Sequence, residues 1–256
     1  MSANVAGEND VLPLTGERTL PDVRHENYWF RRHEAVYAAL VPACRDAMVL
    51  DAGVGEGYGA AMLAGSARRV VAVELDLAVA AYVGRRHRSV LVTRADLQAL
   101  PLPDAILDAV VGLQVIEHLH DQPGFLAECA RVLRPGGRLH CATPNRLTFS
   151  PGRGPGDTPL NPFHTRELDA GELAGLVAGA GLRVERMEGL HHGPALRTLD
   201  RRHGGSVVDA QIALAVSGAD WPESLASDVA AVAVDDFVLG PEDLDACLDL
   251  VVTAAR

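Results

Sequence analysis

A chain of 256 residues that is 48% hydrophobic has the apolar content for a sizeable core, and its length suits one globular domain. Its net charge of −11 argues against a nucleic-acid backbone as partner. No apolar run is long enough to span a membrane, and the polar N-terminus lacks an apolar signal region. Cys44, Cys129, Cys141 and Cys247 stand without C-x-x-C spacing, which suits reduced, buried thiols in a cytoplasmic protein and no zinc site.

Residues 1–24 carry turn formers (Pro13, Gly16, Pro21) and read as a loose arm. The stretch from His25 to Glu34 is aromatic and basic, and Val36, Tyr37, Leu40 and Val41 continue it at helical spacing. Such a helix can pack its aromatics on the core. It can also lie over a ligand as a lid, with Tyr28 and Trp29 covering it and Arg32 meeting a carboxylate.

The organising stretch comes next. An apolar run (Met48, Val49, Leu50) ends at Asp51, glycines follow at 53, 55, 57 and 59, and Ala60 to Ala64 read as a helix. Glycines between strand and helix let the backbone turn left-handed and let a ligand approach the main chain. Read from Gly55, the loop also fits a dinucleotide fingerprint, with Glu74 placed to bond a ribose diol. A carboxylate two residues before the first glycine, Asp51, suits an ammonium-bearing ligand better than a pyrophosphate.

Strands and helices then alternate: strands over 70–74, 90–93, 107–113, 138–143 and 182–187, helices over 77–86 and 125–133. This rhythm predicts a mainly parallel sheet with helices on both faces. Residues 144–163 interrupt it with five prolines and three glycines, a long loop at the edge where open α/β sheets bind ligands. Thr165 is the expected cap of a helix running to Ala180. Residues 189–232 read as a helical insertion with helices near 207–216 and 224–232, and 248–254 as a last strand.

Taken together, these residues resemble class I S-adenosylmethionine (SAM)-dependent methyltransferases over about 45–255. The segments are Asp51-Ala-Gly-Val-Gly-Glu-Gly57, Glu74, Asp96-Leu97, Leu100-Pro-Leu-Pro-Asp104, Leu113-Gln-Val-Ile-Glu-His-Leu119 and Arg131-Val-Leu-Arg-Pro-Gly-Gly137, the Type 11 pattern. The resemblance implies a Rossmann-like, doubly wound α/β sheet of seven strands, mostly parallel with an antiparallel last strand. It implies one domain over 1–256: an N-terminal arm and helical lid (1–45), a SAM-binding core (46–188), the insertion (189–232) and the last strand (233–256). It also implies SAM contacts from Asp51, Gly53, Gly55, Gly57, Glu74 at the ribose, Asp96 and Leu97 at the adenine, and Gln114, with Tyr28 and Arg32 from the lid.

A narrower set resembles mycobacterial sugar O-methyltransferases of polymethylated polysaccharide biosynthesis, the kind that 1-O-methylate methylmannose precursors. It comprises Leu14 to Thr19, Glu26 to His33, Thr148 to Arg153, Asn161 to Leu168 and His203 to Ser206. The implied acceptor is an oligosaccharide or small molecule; a quinone, another glycan, a homodimer and a non-catalytic SAM-binding subunit stay open alternatives. A sugar hydroxyl becomes a good nucleophile when its proton leaves, which a histidine can accept near neutral pH. His118, after strand four, and His164, where the long loop returns, are the candidate bases. His120 and Asp121 lie nearby, while His191 and His192 read as surface or lid residues. Magnesium is a second route that the resemblance leaves open, with Glu117 and Asp121 as carboxylates within range.

Overall fold

Runs of β-branched residues alternate with helical patterns, and the chain folds as that rhythm dictates. The structure is a computed structural model and describes Leu12, residues 19–21 and residues 23–256. Most of the loose arm expected over 1–24 and of the Leu14 to Thr19 motif lies outside the described residues. Eight strands form one sheet: β1 (Met48–Ala52), β2 (Arg69–Glu74), β3 (Val90–Arg94), β4 (Leu107–Leu113), β5 (Leu133–Pro144), β6 (Arg183–His192), β7 (Phe237–Gly240) and β8 (Asp249–Ala255). Their order is β3-β2-β1-β4-β5-β8-β6-β7. Strands β1 to β5 pair in parallel, while β8 runs antiparallel between β5 and β6.

Side chains on β1 alternate between two cores. Val49 joins the core that includes Tyr37, Leu40 and Leu63, from helices α1 (Asn27–Leu40) and α2 (Tyr58–Ala64). Leu50 and Ala52 join Phe125, Leu126 and Leu173 on the other face, from α4 (Gln122–Val132) and α6 (Ala170–Gly179). Helix α3 (Leu77–Arg86) packs beside β3, and α5 (Arg146–Phe149) is one turn after β5. The near-continuous burial along β1, β4 and β8, with successive side chains pointing to opposite faces, is what a sheet covered on both faces requires.

The structure departs from the expectation in several places. The sheet has eight strands rather than seven, because the short β7 adds antiparallel to β6 at the edge. His191 and His192 belong to β6, so the insertion starts only at Gly193. It contains α7 (Pro194–Arg202), which the sequence reading passed over, then α8 (Val207–Ser217) and α9 (Glu223–Ala231). Helix α6 starts at Ala170, not beside Thr165. Asp169 caps it in a reciprocal box with Glu172, which outcompetes Thr165, whose hydroxyl instead donates to the carbonyls of Glu117 and Leu119.

Helix α1 is fixed to the sheet by a buried ion pair. Arg32 donates from Nε and Nη2 to the two oxygens of Asp249 at 2.7 and 2.6 Å, and from Nη2 to the Leu248 carbonyl at 3.0 Å. Side-chain exposure is 2% for Arg32 and 0% for Asp249. Burial alone would raise the Asp249 carboxyl, but the guanidinium outweighs it and holds the group below the usual carboxylate range. A carboxyl depressed on folding stabilises the protein above about pH 4, and that stabilisation is lost as acid protonates it. Asp249→Asn leaves a buried guanidinium without its counter-charge. It should cost about 3–5 kcal/mol in urea unfolding at pH 7, with the loss shrinking in acid; a loss under ~1 kcal/mol would mean the pair is inessential.

Candidate active site

The β1–β4 pair is where the strand order reverses, β2 and β3 lying to one side and β5 to the other. Loops leaving the two strands there diverge and open a crevice at their C-terminal ends. That crevice is a cleft of about 370 Å³. Gly53 to Glu56 and Tyr58 line it from the β1 loop, Val73 to Leu75 from β2, Asp96 to Gln98 from β3, and Leu113 to Val115 with His118 to His120 from β4.

The glycine loop has the geometry its sequence implied. Gly53, Gly55 and Gly57 take φ of 77°, 50° and 83°. At Gly57, which precedes α2, a Cβ would also stand 2.7 Å from Val83 Cγ1. At Gly59 a Cβ would meet the Tyr37 ring at 2.1 Å, so α2 approaches α1 only because this residue has no side chain.

Among the described residues, Glu56, Glu74 and Asp96 are the acidic residues that line the cleft, whereas Asp51 does not line it. Glu74 sits at its rim; Oε1 accepts from the Leu75 and Asp76 amides at 2.9 and 3.1 Å, and Oε2 from Gly55 N at 3.3 Å. Carboxylate oxygens have further lone pairs, so this group can still take a vicinal diol. Asp96 Oδ1 accepts from Gln98 N at 2.9 Å, which turns the Asp96–Gln98 segment along the cleft wall beside the buried Leu97. Asp51 is fully buried beneath Tyr37, whose hydroxyl donates to Oδ1 at 3.1 Å. Its Oδ2 has no hydrogen-bond partner among the described residues, and burial pushes the carboxyl up to about 7 against the opposing Tyr37 bond. A buried carboxylate oxygen lacking a donor is suited to a cationic ligand group arriving from the cleft.

The far corner holds the candidate base. His118 ends a 3₁₀ turn (Ile116–His118) after β4 and lines the cleft. Its Nδ1 lies 3.0 Å from the Phe163 carbonyl. A carbonyl only accepts, so Nδ1 carries the proton and Nε2 of the neutral ring keeps its lone pair. His164 packs edge-on against His118 with ring centroids 5.0 Å apart. Both its nitrogens are engaged, Nδ1 with Glu167 Oε1 at 2.6 Å and Nε2 with Asn161 Nδ2 at 3.0 Å. Of the two candidates, His118 therefore has the available lone pair. Glu117 is fully buried and accepts from Thr143 Oγ1 at 2.9 Å. Burial raises its carboxyl to about 7 despite His164 and Thr143. Asp121 caps α4 by accepting from Gly124 N at 2.9 Å and stands apart from this cluster.

Gln114, with φ of 55°, lines the cleft, and its Nε2 donates to Asp249 Oδ1 at 3.0 Å. Tyr28 and Arg32 do not line it, which corrects their expected place in a lid. They share the inward face of α1 with Val36 and Leu40; Tyr28 donates its hydroxyl proton to His192 Nε2 at 2.6 Å, and Asp200 Oδ2 holds His192 Nδ1 at 2.7 Å. The α1 residues that line the cleft are His33 and Tyr37, joined by Tyr58 and Thr19. Sequence reasoning passed over His33, although it stands four residues before Tyr37 and so on the same helix face. His191 and His192 lie away from the cleft in β6.

Because Asp51 binds its proton more tightly when folded, the folded state holds more protons between about pH 4 and 7, and stability falls as pH rises through that window. Glu117 acts in the same direction. Asp51→Asn removes the first contribution, roughly 2–4 kcal/mol. Melting temperatures of the variant at pH 5 and pH 8 should therefore lie closer together than those of the unaltered protein; an unchanged gap would contradict the raised carboxyl.

The comparisons with known proteins agree with this geometry. A family profile described as a methyltransferase domain matches residues 50–141. The chain is 56% identical over 250 residues to a probable S-adenosylmethionine-dependent methyltransferase of Mycobacterium tuberculosis (strain H37Rv), covering 96% of this chain and 90% of that one. It is 56% identical over 249 residues to a probable S-adenosylmethionine-dependent methyltransferase of Mycolicibacterium smegmatis, covering 96% of each. Among solved structures, an S-adenosylmethionine-dependent methyltransferase of Mesorhizobium loti superposes with a TM-score of 0.60 at 17% identity, over 88% of this chain and 98% of that one, a likeness of fold. With a relative this similar over nearly its whole length, and with the glycine loop, Glu74 and Asp96 around one crevice, the chain belongs to the class I SAM-dependent methyltransferases.

Proposed function

We propose that this chain moves a methyl group from SAM to a hydroxyl of a sugar, a mannoside of the kind found in polymethylated polysaccharides, in the cytoplasm. The observation that carries the reading is the His118 ring, oriented through Nδ1 by the Phe163 carbonyl at 3.0 Å with its other nitrogen available. SAM supplies a methyl group already activated on a sulfonium. The chain's own residues then have three tasks. Glu74 takes the ribose hydroxyls, Asp96 and Leu97 take the adenine edge, and Asp51, buried and outside the lining, attracts the ammonium through an oxygen that has no partner among the described residues. The walls exclude water and align the acceptor oxygen with the methyl carbon, which supplies much of the rate. His118 Nε2 accepts the hydroxyl proton.

The polar composition of residues 150–166 and the resemblance to mycobacterial sugar methyltransferases support the sugar. A second reading, an apolar acceptor such as a quinone or another small metabolite, is favoured by the exposed side chains of Leu147, Leu160 and Phe163 on the segment that returns to His118. Magnesium takes oxygen ligands, whereas Glu117 is flanked by two imidazoles and Asp121 is occupied as a helix cap. The donor set does not match magnesium.

Methyl release from labelled SAM, measured on a panel of mannosides, glucosides and quinols, tests the acceptor. Turnover confined to methylated mannosides is the expected result; turnover confined to quinols overturns the sugar. Glu74→Ala should weaken SAM binding by about 1–3 kcal/mol in calorimetric titration, and NADH should not bind. His118→Asn should lower turnover by about 10²–10⁴ while SAM affinity and melting temperature stay nearly unchanged. His164→Asn should instead lower stability, because it breaks the contacts with Glu167 and Asn161.

A further inference from the structure

The corner around His118 contains more than a base requires. Glu117, His118 and His164 each present a ligating atom, and the three atoms lie within 4.8 Å of one another. No hydrogen bond joins any two of the three among the described residues: Glu117 is bonded by Thr143, His118 by Phe163, and His164 by Glu167 and Asn161. Each imidazole uses Nδ1 toward an outer partner, a carbonyl for His118 and the buried Glu167 carboxylate for His164. Outer partners of these two kinds orient metal-binding histidines and raise their basicity.

The backbone holds the three residues together although 46 positions separate His118 from His164 in the chain. Thr165 N and Oγ1 donate to the Glu117 carbonyl at 2.8 and 2.9 Å, and Gln122 Nε2 joins the Ile116 and Arg166 carbonyls at 3.0 Å each. The loop after β5 is thereby fastened to the turn after β4 just past His164, and the Phe163 carbonyl on His118 fastens it just before.

We propose that Glu117, His118 and His164 form a binding site for one divalent cation of the manganese, cobalt or zinc type, with open positions facing the cleft. One carboxylate and two imidazoles suit such ions better than magnesium or calcium, which prefer all-oxygen shells. Ligand atoms sharing one ion sit about 3–3.5 Å apart, so binding draws the cluster inward and turns His164 Nε2 from Asn161 to the ion. Because His118 lines the cleft, the open positions meet the acceptor. This last step rests on the proposed methyl transfer to a hydroxyl. The ion holds the hydroxyl oxygen and acidifies it; the S–CH₃ bond breaks as the O–CH₃ bond forms, the sulfonium becomes a neutral thioether, and the hydroxyl proton leaves to solvent. In this state His118 is a ligand and not the proton acceptor.

Ion binding can be measured without SAM or acceptor, so its outcome is independent of the proposed reaction. Protein stripped with chelator and dialysed is titrated with Mn²⁺, followed by the paramagnetic resonance of the free ion. One site per chain is expected, weakened tenfold or more in Glu117→Gln and in His118→Asn, and not displaced by equimolar Mg²⁺. Melting temperature and SAM titration of both variants check that they fold. Turnover should fall with chelator and return with Mn²⁺. Absence of a stoichiometric site in the unaltered protein, or equal affinity in both folded variants, overturns the proposal and leaves His118 as the base. A site that binds Mn²⁺ in a protein that methylates no sugar supports the cation site while refuting the sugar.

Discussion

The Arg32–Asp249 pair is the interaction on which the rest depends, because it joins the first helix to the last strand directly below the cleft. Two charges removed from water are costly, and only close, multiple bonds offset that cost. Here the geometry is bidentate, the Leu248 carbonyl takes a further guanidinium proton, and Gln114 donates to the same carboxylate. Gln114 is thereby held at φ of 55°, a conformation disfavoured for a residue with a side chain, at the mouth of β4. The neighbouring Tyr28–His192–Asp200 chain extends the polar network into β6 and α7. Burial outweighs Asp200 and lowers the His192 ring below its ordinary value, so it stays neutral inside this network. Helix α1 and the insertion are thus tied to the sheet by polar contacts as well as by packing.

The cleft follows from strand order, and its chemistry from what each strand places at its C-terminal end. β1 delivers a left-handed glycine loop above a buried carboxylate, β2 and β3 deliver rim carboxylates, and β4 delivers a strained glutamine and a histidine. Electrostatics grade along it. Asp51 lies deep enough for burial to hold its carboxyl at about 7, whereas the His33 ring, which lines the cleft from α1, is driven down to about 4 by its own burial and stays neutral.

Local patterns explain what was legible in the sequence. The Asp51 to Gly59 stretch, Glu74 and Asp96 each follow an apolar run by a fixed short distance, so their positions at strand ends were readable one at a time. Phase on α1 was not resolved: Tyr28 and Arg32 are four apart, as are His33 and Tyr37, and both pairs satisfy helical spacing. Only the sheet decides that the first pair faces Asp249 and His192 while the second faces the cleft. Arg32 and Asp249 are 217 residues apart, and nothing local marks either as the other's partner. The helix expected at Thr165 failed because two cap signals competed, and Asp169 with Glu172 three residues on forms the complete box. Asp121, read as a metal carboxylate, precedes Gln122-Pro123-Gly124, and that is a helix start. The contact of His164 with Glu167 is a three-residue spacing that was present in the sequence, but its meaning depends on the loop returning to Glu117.

A crystal structure with S-adenosylhomocysteine tests the central claim most directly, since it reads the orientation of the ligand along the whole cleft. We expect the ribose hydroxyls on Glu74, the adenine edge against Asp96 and Leu97, the amino group on the Asp51 side, and the sulfur facing the His118 corner. A nucleoside seated with its base against His118, or bound away from the β1–β4 crevice, would contradict this placement.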